Sequence, residues 1–358
     1  MKAVVLVGGE GTRLRPITFA IPKQMLPVAG TTMLERVLGH LAGHGVDEAV
    51  LSLGYRPDAF LEAFPGGRAA GVKLTYAVEP EPLDTAGAIR FAARHADVRD
   101  TFIVVNGDVL TDLDITALVH RHRVVGAQGT IALAPVEDPS LFGVVPTDGD
   151  GRVTAFIEKP PAGEAPTNLI NAGTYVLEPD VLDAIPADRR VSVEREIFPA
   201  MVAGGSLYAM ASDGYWIDAG TPTQFLRANA DLVARGTCPV PGAVERYPGV
   251  WTVGDTTVDG AVRAPVLVQA ETRVCAGASV SASVLGEDVT VEPGASVDNS
   301  VLLAGARVAA GATVSGSIVG RGARIGAGAV VGPTSVIGCD AVVDPGARLT
   351  DARFPSWD

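Results

Sequence analysis

The chain has 358 residues, a formal net charge of −13 and 47% hydrophobic residues. That length sets an expectation of two domains, each able to bury its own core, and the acidic excess argues against a nucleic-acid groove or a polybasic membrane patch. The three cysteines, Cys238, Cys275 and Cys339, are too scattered for a metal site or a disulfide framework and read as reduced thiols.

The N-terminus enters a core strand directly, over residues 2–7, with no basic n-region, long apolar run or spanning helix. The expected location is therefore the cytoplasm. The strand feeds a Gly-rich loop, Gly8-Gly9-Glu10-Gly11-Thr12-Arg13, and Lys23 follows between Pro22 and Pro27. Backbone N–H groups bared by such a loop cradle phosphate oxygens, and a nearby Arg and Lys neutralise their charge. The loop is not a P-loop, which needs Gly-Lys-Ser/Thr, nor a dinucleotide fingerprint, which needs a third Gly where Leu14 stands.

Further strands are expected over residues 49–53, 74–78 and 101–106. Between them Leu34, Val37, Leu38 and Leu41 mark one helix face, which Gly45 ends. Such βα alternation implies a mostly parallel sheet covered on both faces, with ligands at its carboxyl edge. Leu83-Asp84-Thr85-Ala86-Gly87-Ala88 opens a helix expected over 85–95. Asn106-Gly107-Asp108 puts a carboxylate at a strand's carboxyl end, where it can hold a divalent cation on phosphate oxygens. Gly143 permits close backbone approach, Glu158-Lys159-Pro160 follows a strand end, and Asn171-Ala172-Gly173 pairs an amide with unobstructed backbone. In Trp216-Ile217-Asp218-Ala219-Gly220-Thr221-Pro222, Thr221 and Pro222 read as N-cap and first-turn proline of a helix over 223–232.

Residues 237–249, with Pro239, Pro241, Gly242 and Pro248, read as a linker. Beyond it Ser283-Val284-Leu285-Gly286 recurs at Ser300, Ser317 and Ser335, at spacings of 17, 17 and 18 residues. Within each unit aliphatic residues return every six positions, as in Leu285, Val291 and Val297 or Leu302, Val308 and Val314. Three faces per turn with one inward side chain each describe a triangular prism, and Gly277, Gly294, Gly311 and Gly328 fit its corners. This resembles a left-handed parallel β-helix of hexapeptide repeats over 250–352, leaving 353–358 as a tail.

The stretch 2–27 resembles, almost letter for letter, the sugar-nucleotide pyrophosphorylase pattern GGxGTRLxPxTxxxPKxMLP. The resemblance covers residues 1–236 and implies a Rossmann-like α/β nucleotidyltransferase domain. It also implies in-line attack of a sugar 1-phosphate on the α-phosphorus of a nucleoside triphosphate, with pyrophosphate leaving. Positioning and charge neutralisation carry such transfers, so no nucleophilic Ser, Cys or His is needed. Carried over onto this chain, the family's nucleotide-binding positions are Leu6, Gly8, Gly9, Gly11, Thr12, Arg13, Glu79, Thr85, Gly87 and Asp108. Arg13 and Lys23 act on the phosphates. Gly143, Glu158, Lys159, Asn171 and Gly173 serve the sugar phosphate, and Asp108 with Asp218 holds Mg²⁺. Asp84 departs from the family, where Gly is usual, which bears on how the base is read.

Thr85-Ala86-Gly87, the segment Val193-Glu194-Arg195-Glu196-Ile197-Phe198-Pro199, Ile170-Asn171-Ala172-Gly173 and the repeat tail look most like the guanylyltransferase branch. That implies GTP, mannose 1-phosphate and GDP-mannose. The neighbouring expectation is glucose 1-phosphate with dTTP, UTP or ATP. An acetyltransferase tail would want a β-helix histidine, and none follows His122. A non-catalytic subunit would be expected to lack Arg13, Lys23 or a metal Asp, and all are present. The β-helix is expected to drive homo-oligomer assembly.

Overall fold

The computed structural model describes residues 1–54, 56–187, 189–235 and 240–357. The chain divides into two compact units, one of Met1–Gly9 with Leu34–Ile217 and one of Glu10–Met33 with Asp218–Asp358. This division differs from a cut at residue 236. The Gly-rich motif itself is split, so Arg13 and Lys23 belong to the unit that carries the repeats. Of the expected linker, residues 237–239 and Cys238 lie outside the described residues, and Ala243–Tyr247 is a strand.

In the first unit a sheet forms where the apolar runs predict it. Strand β1 (Lys2–Leu6) lies parallel to β2 (Glu48–Leu53) and β4 (Phe102–Asn106), and β2 lies parallel to β3 (Val72–Val78). Ala3, Val4 and Val5 are 0% exposed, as a strand covered on both faces requires. Helix α1 (Met33–Gly43) buries Leu34, Leu38 and Leu41 completely, so the expected helix face is the core face. Further helices are α2 (Pro57–Ala63), α3 (Asp84–His95), α4 (Ile115–Val125) and α5 (Phe198–Ala203).

The sheet is mixed rather than mostly parallel. Strand β5 (Gly129–Pro135) is followed by residues 136–168, which hold no α-helix to carry a parallel crossover. The next strand, β6 (Leu169–Leu177), accordingly runs antiparallel to both β4 and β5, and β7 (Leu207–Ala211) pairs parallel with β5. Antiparallel pairing brings the start of β6 to the carboxyl end of β4.

In the second unit the repeats stack as the six-residue period predicts. One column is Val274, Val291, Val308, Ile325 and Val343, and another Val280, Val297, Val314, Val331 and Leu349. The third runs Val268, Leu285, Leu302, Val319, Ile337 and on to Phe354, so the ladder reaches two residues past 352. The corner glycines Gly277, Gly294, Gly311 and Gly328 have φ of 80°, 73°, 67° and 65°, which suits a residue without Cβ. The recurring serines are buried: the amides of Ser300 and Ser317 donate to the hydroxyls of Ser283 and Ser300, at 3.0 and 3.1 Å. Each hydroxyl in turn donates to the carbonyl two residues back. Helix α6 (Pro222–Ala234) packs on the first coils, against Ala261–Val268 and Ser279–Leu285.

Candidate active site

In the second unit, Gly11 has φ 60° and accepts the Leu14 amide at 2.9 Å, which opens a single 3₁₀ turn over Thr12–Leu14. Thr18 Oγ1 donates to the Gly11 carbonyl at 2.9 Å. A Cβ on Gly11 would lie 3.1 Å from Lys23 Cβ, so the Gly-rich loop and Lys23 are held side by side. Arg13 Nη2 lies 3.9 Å from Asp218 Oδ2, with Arg13 56% and Asp218 28% exposed. Such an open pair contributes little to stability. Asp218 Oδ1 accepts the Gly220 amide at 2.8 Å, and Thr221 caps α6 by accepting the Gln224 amide at 3.3 Å. The cap and Pro222 explain half of this motif, and the crowding at Gly220 explains another part. A Cβ there would stand 2.7 Å from both Arg13 Nη2 and Asp218 Oδ1.

In the first unit, parallel pairing sets Leu6 beside both Ser52 and Asn106, so several loops leave one carboxyl edge. Gly107 donates to the Leu6 carbonyl at 2.9 Å and places the half-buried Asp108 at that edge. Gly9 has φ 98°, a conformation that favours glycine. Gly8 has no such φ, and a Cβ on it would meet nothing within 4 Å. Nothing in the fold among the described residues requires Gly8 to be glycine. Glu79, at the end of β3, takes Ser52 Oγ on one oxygen at 2.9 Å and the Leu83 amide on the other at 3.1 Å, which fixes the turn into α3.

The start of α3 is bound to the segment before α5. Ala86 and Gly87 donate to the Val191 carbonyl, and Val191 donates to that of Leu83. Thr85 Oγ1 donates to Glu194 Oε2 at 2.7 Å and accepts the Val193 amide at 2.9 Å. The Thr85 hydroxyl is therefore engaged within the protein. Glu194, which also accepts from Ser192 Oγ, is the partner that reading along the sequence did not single out. A Cβ on Gly87 would lie 2.8 Å from Leu83 Cβ. Asp84 sits at φ 62° and accepts the Thr85 amide at 2.8 Å. The left-handed conformation accounts for glycine being usual here, and Asp is among the residues that tolerate it.

The remaining residues gather around β6. Gly143 pairs with Glu158, and a Cβ on Gly143 would lie 2.7 Å from the Phe156 ring and 3.1 Å from Glu158 Oε2. Lys159 has φ 48°, donates its amide to the Phe142 carbonyl, and holds Nζ 3.4 Å from Glu158 Oε1. Asn171 Nδ2 donates to the Tyr175 hydroxyl and Asn171 Oδ1 accepts the Gly173 amide, each at 2.9 Å. Gly173 has φ 73°, and a Cβ there would lie 2.6 Å from Asn106 Nδ2. Burial raises the Tyr175 phenol above its ordinary pKa, the nearby Glu194 and Glu158 carboxylates add to this, and the Asn171 hydrogen bond opposes it. The phenol stays protonated. Trp216 Nε1 donates to the Ala172 carbonyl at 2.9 Å and its ring meets Phe142 edge-on at 5.5 Å, tying the loops around Phe142 and Ala172 together.

Gln24, beside Lys23, is 2% exposed, and its Oε1 has no partner among the described residues. Among those residues no group of three or more His, Cys, Asp or Glu side chains converges into a metal cage. No helix among them is long and apolar enough to cross a membrane.

Residues 2–235 match the model of the family described as nucleotidyl transferase, and 262–354 match that of the GMPPB C-terminal domain. A mannose-1-phosphate guanylyltransferase of Mycobacterium tuberculosis is 46% identical over 255 residues, 71% of this chain and 70% of that one. A mannose-1-phosphate guanylyltransferase catalytic subunit beta of Dictyostelium discoideum is 40% identical over 63% of each chain. Among solved structures, HddC from Yersinia pseudotuberculosis, complexed with GMP-PN, is 31% identical with a TM-score of 0.56, over 64% of this chain and 98% of that one. A putative glucose-1-phosphate thymidylyltransferase from Bacillus anthracis, in complex with a sucrose, is 26% identical with a TM-score of 0.59, over 64% of this chain and 94% of that one.

Proposed function

The chain belongs to the nucleotidyl transferase family, and from that premise we propose that it makes GDP-mannose and pyrophosphate from GTP and mannose 1-phosphate. The observation that carries this reading is Gly8. Its backbone conformation does not demand glycine and its surroundings are open, so the remaining reason for a bare backbone is the close approach of a phosphate. The guanosine and mannose assignments rest on the names of relatives at 46% and 40% identity.

A phosphate oxygen of mannose 1-phosphate attacks the α-phosphorus of GTP. The bond from that phosphorus to the bridging oxygen breaks, and pyrophosphate carries away the electron pair. The backbone of Gly8, Gly9 and Gly11 approaches the triphosphate, with Leu6 and Thr12 beside it. Arg13 neutralises the departing phosphates and Lys23 draws the two substrates' phosphates together. Glu79, Thr85 and Gly87 shape the nucleoside side. Lys159 binds the sugar phosphate, while Glu158, Asn171 and the backbone at Gly143 and Gly173 take the sugar hydroxyls. Asp108 and Asp218 suit Mg²⁺, a hard cation content with one or two carboxylates plus phosphate and water oxygens. When bound, the cation neutralises phosphate charge. The enzyme works in the cytoplasm as a homo-oligomer that associates through the β-helix unit.

The test is calorimetric titration of GTP into the wild-type chain and Gly8→Ala. An added methyl should weaken GTP binding by at least about tenfold, the loss expected for a misfitted group worth ~1.4 kcal/mol, and leave the unfolding temperature unchanged. Equal affinity in the two proteins would contradict the reading.

A further inference from the structure

The loop Glu10–Met33, which carries Arg13 and Lys23, is held within its unit at two distant places on the repeats. Near its end, the Ala29 amide donates to the buried Asn229 Oδ1 of α6 at 2.8 Å. A Cβ on Gly30 would lie 3.3 Å from Leu267 in an early coil. Near its start, Pro16 lies against the last coil, where a Cβ on Gly338 would stand 3.1 Å from Pro16 Cγ. The chain then passes Phe354 and Pro355, and Trp357 meets Phe19 edge-on with ring centroids 5.2 Å apart. The Arg15 guanidinium covers the Phe19 ring at 4.9 Å, two residues from Arg13. The loop is thus laid lengthwise on the prism, and its catalytic end is held by the C-terminal tail.

We infer that the C-terminal tail positions the phosphate-binding loop, with Trp357 as a positioning residue acting through Phe19 on Arg13. The Phe19 and Trp357 rings are 42% and 38% exposed, so their contact is a poor choice for general stability. Phe19 ends the 3₁₀ turn over Ile17–Phe19, which follows the turn over Thr12–Leu14 that carries Arg13, and in a reaction carried by positioning a misplacement near 1 Å costs up to about 10²-fold in rate. The β-helix is then part of the catalytic apparatus as well as a platform for assembly. This rests on the proposed nucleotidyl transfer for its kinetic consequences but not for its structural ones.

The test uses the full chain as wild type, Trp357→Ala, Trp357→Phe and Gly338→Ala. Hydrogen exchange needs no activity, and it should be faster in Trp357→Ala at the amides of Phe19 and Ala20, which donate to Pro16 and Ile17. In pyrophosphate-release assays Trp357→Ala should lower kcat about tenfold with the sugar 1-phosphate KM nearly unchanged, the signature of a lost transition-state contact. Unfolding temperature and oligomeric state should match wild type. Trp357→Phe should restore both readouts, and Gly338→Ala, which presses on Pro16 from the coil side, should reproduce the defect. Unchanged exchange over residues 14–20 together with wild-type kcat in Trp357→Ala would overturn the inference. Absence of pyrophosphate release by the wild-type chain would instead count against the proposed function, with the exchange result still deciding this one.

Discussion

The Arg13 guanidinium lies 3.9 Å from the Asp218 carboxylate, and Gly220 is the residue that lets them approach. An alanine at 220 would put its methyl 2.7 Å from Arg13 Nη2 and from Asp218 Oδ1. Both clashing atoms end flexible side chains, so the fold should absorb the change while the pair is displaced. Gly220→Ala should lose about 10²-fold in kcat, as a misplaced catalytic group does, with an unfolding temperature close to wild type. Kinetics beside a thermal melt checks this, and full activity would show that the arrangement at Arg13 is dispensable.

Asp108→Asn and Asp218→Asn keep the side-chain shape and remove one negative charge each from the two carboxylates proposed to hold the cation. Each should lower turnover by about 10²–10³, the loss typical of one preorganised electrostatic contact. Neither should unfold the protein, and excess chelator should abolish activity in wild type. Turnover in chelator at the wild-type rate would remove the cation from the mechanism.

Glu158 and Lys159 should affect the sugar half of the reaction alone. Lys159→Ala removes a charge whose side chain is 61% exposed, so it should weaken sugar 1-phosphate binding and spare stability. Because Lys159 sits at φ 48°, Lys159→Gly should be at least as stable as Lys159→Ala. Glu158→Gln should blur discrimination between sugars. Titration with GTP alone is the control, and a large loss of GTP affinity in either protein would place these residues elsewhere.

Ser300 links three coils, donating to the Asp298 carbonyl, accepting the Ser317 amide and donating its own amide to Ser283. Ser300→Ala strands the buried Ser317 amide, while the Asp298 carbonyl keeps the Gly316 amide at 3.0 Å, so it should cost about 1–3 kcal/mol of stability. Denaturant unfolding reads this directly. An unchanged midpoint would mean that water replaces the hydroxyl.

The prism was legible because its period is local. Every inward residue expected from the six-residue spacing, from Val268 to Leu349, stacks in the expected column. The serines that mark the repeat were visible, but their bonding between coils needs the third dimension. The βα pattern located β1 to β4, while the antiparallel β6 escaped because a missing crossover helix is a weak signal. Glu194 was beyond reach for a similar reason. It meets Thr85 across 109 residues, and no periodicity joins them. The division of the chain was the furthest from view. Glu10–Met33 leaves the sheet for the repeats through side-chain packing at Pro16, Gly30 and Phe19, which composition does not reveal. A chain cut near residue 236 would therefore lose the surface on which the Arg13 loop rests.

The most direct measurement is the initial rate of pyrophosphate release by the full chain with Mg²⁺, for GTP, dTTP, UTP and ATP each against mannose 1-phosphate and glucose 1-phosphate. GTP with mannose 1-phosphate should give the highest kcat/KM, and GDP-mannose should accumulate in step with pyrophosphate. A preference for another nucleotide or for glucose 1-phosphate would contradict the substrate assignment, and no pyrophosphate from any pair would contradict nucleotidyl transfer itself.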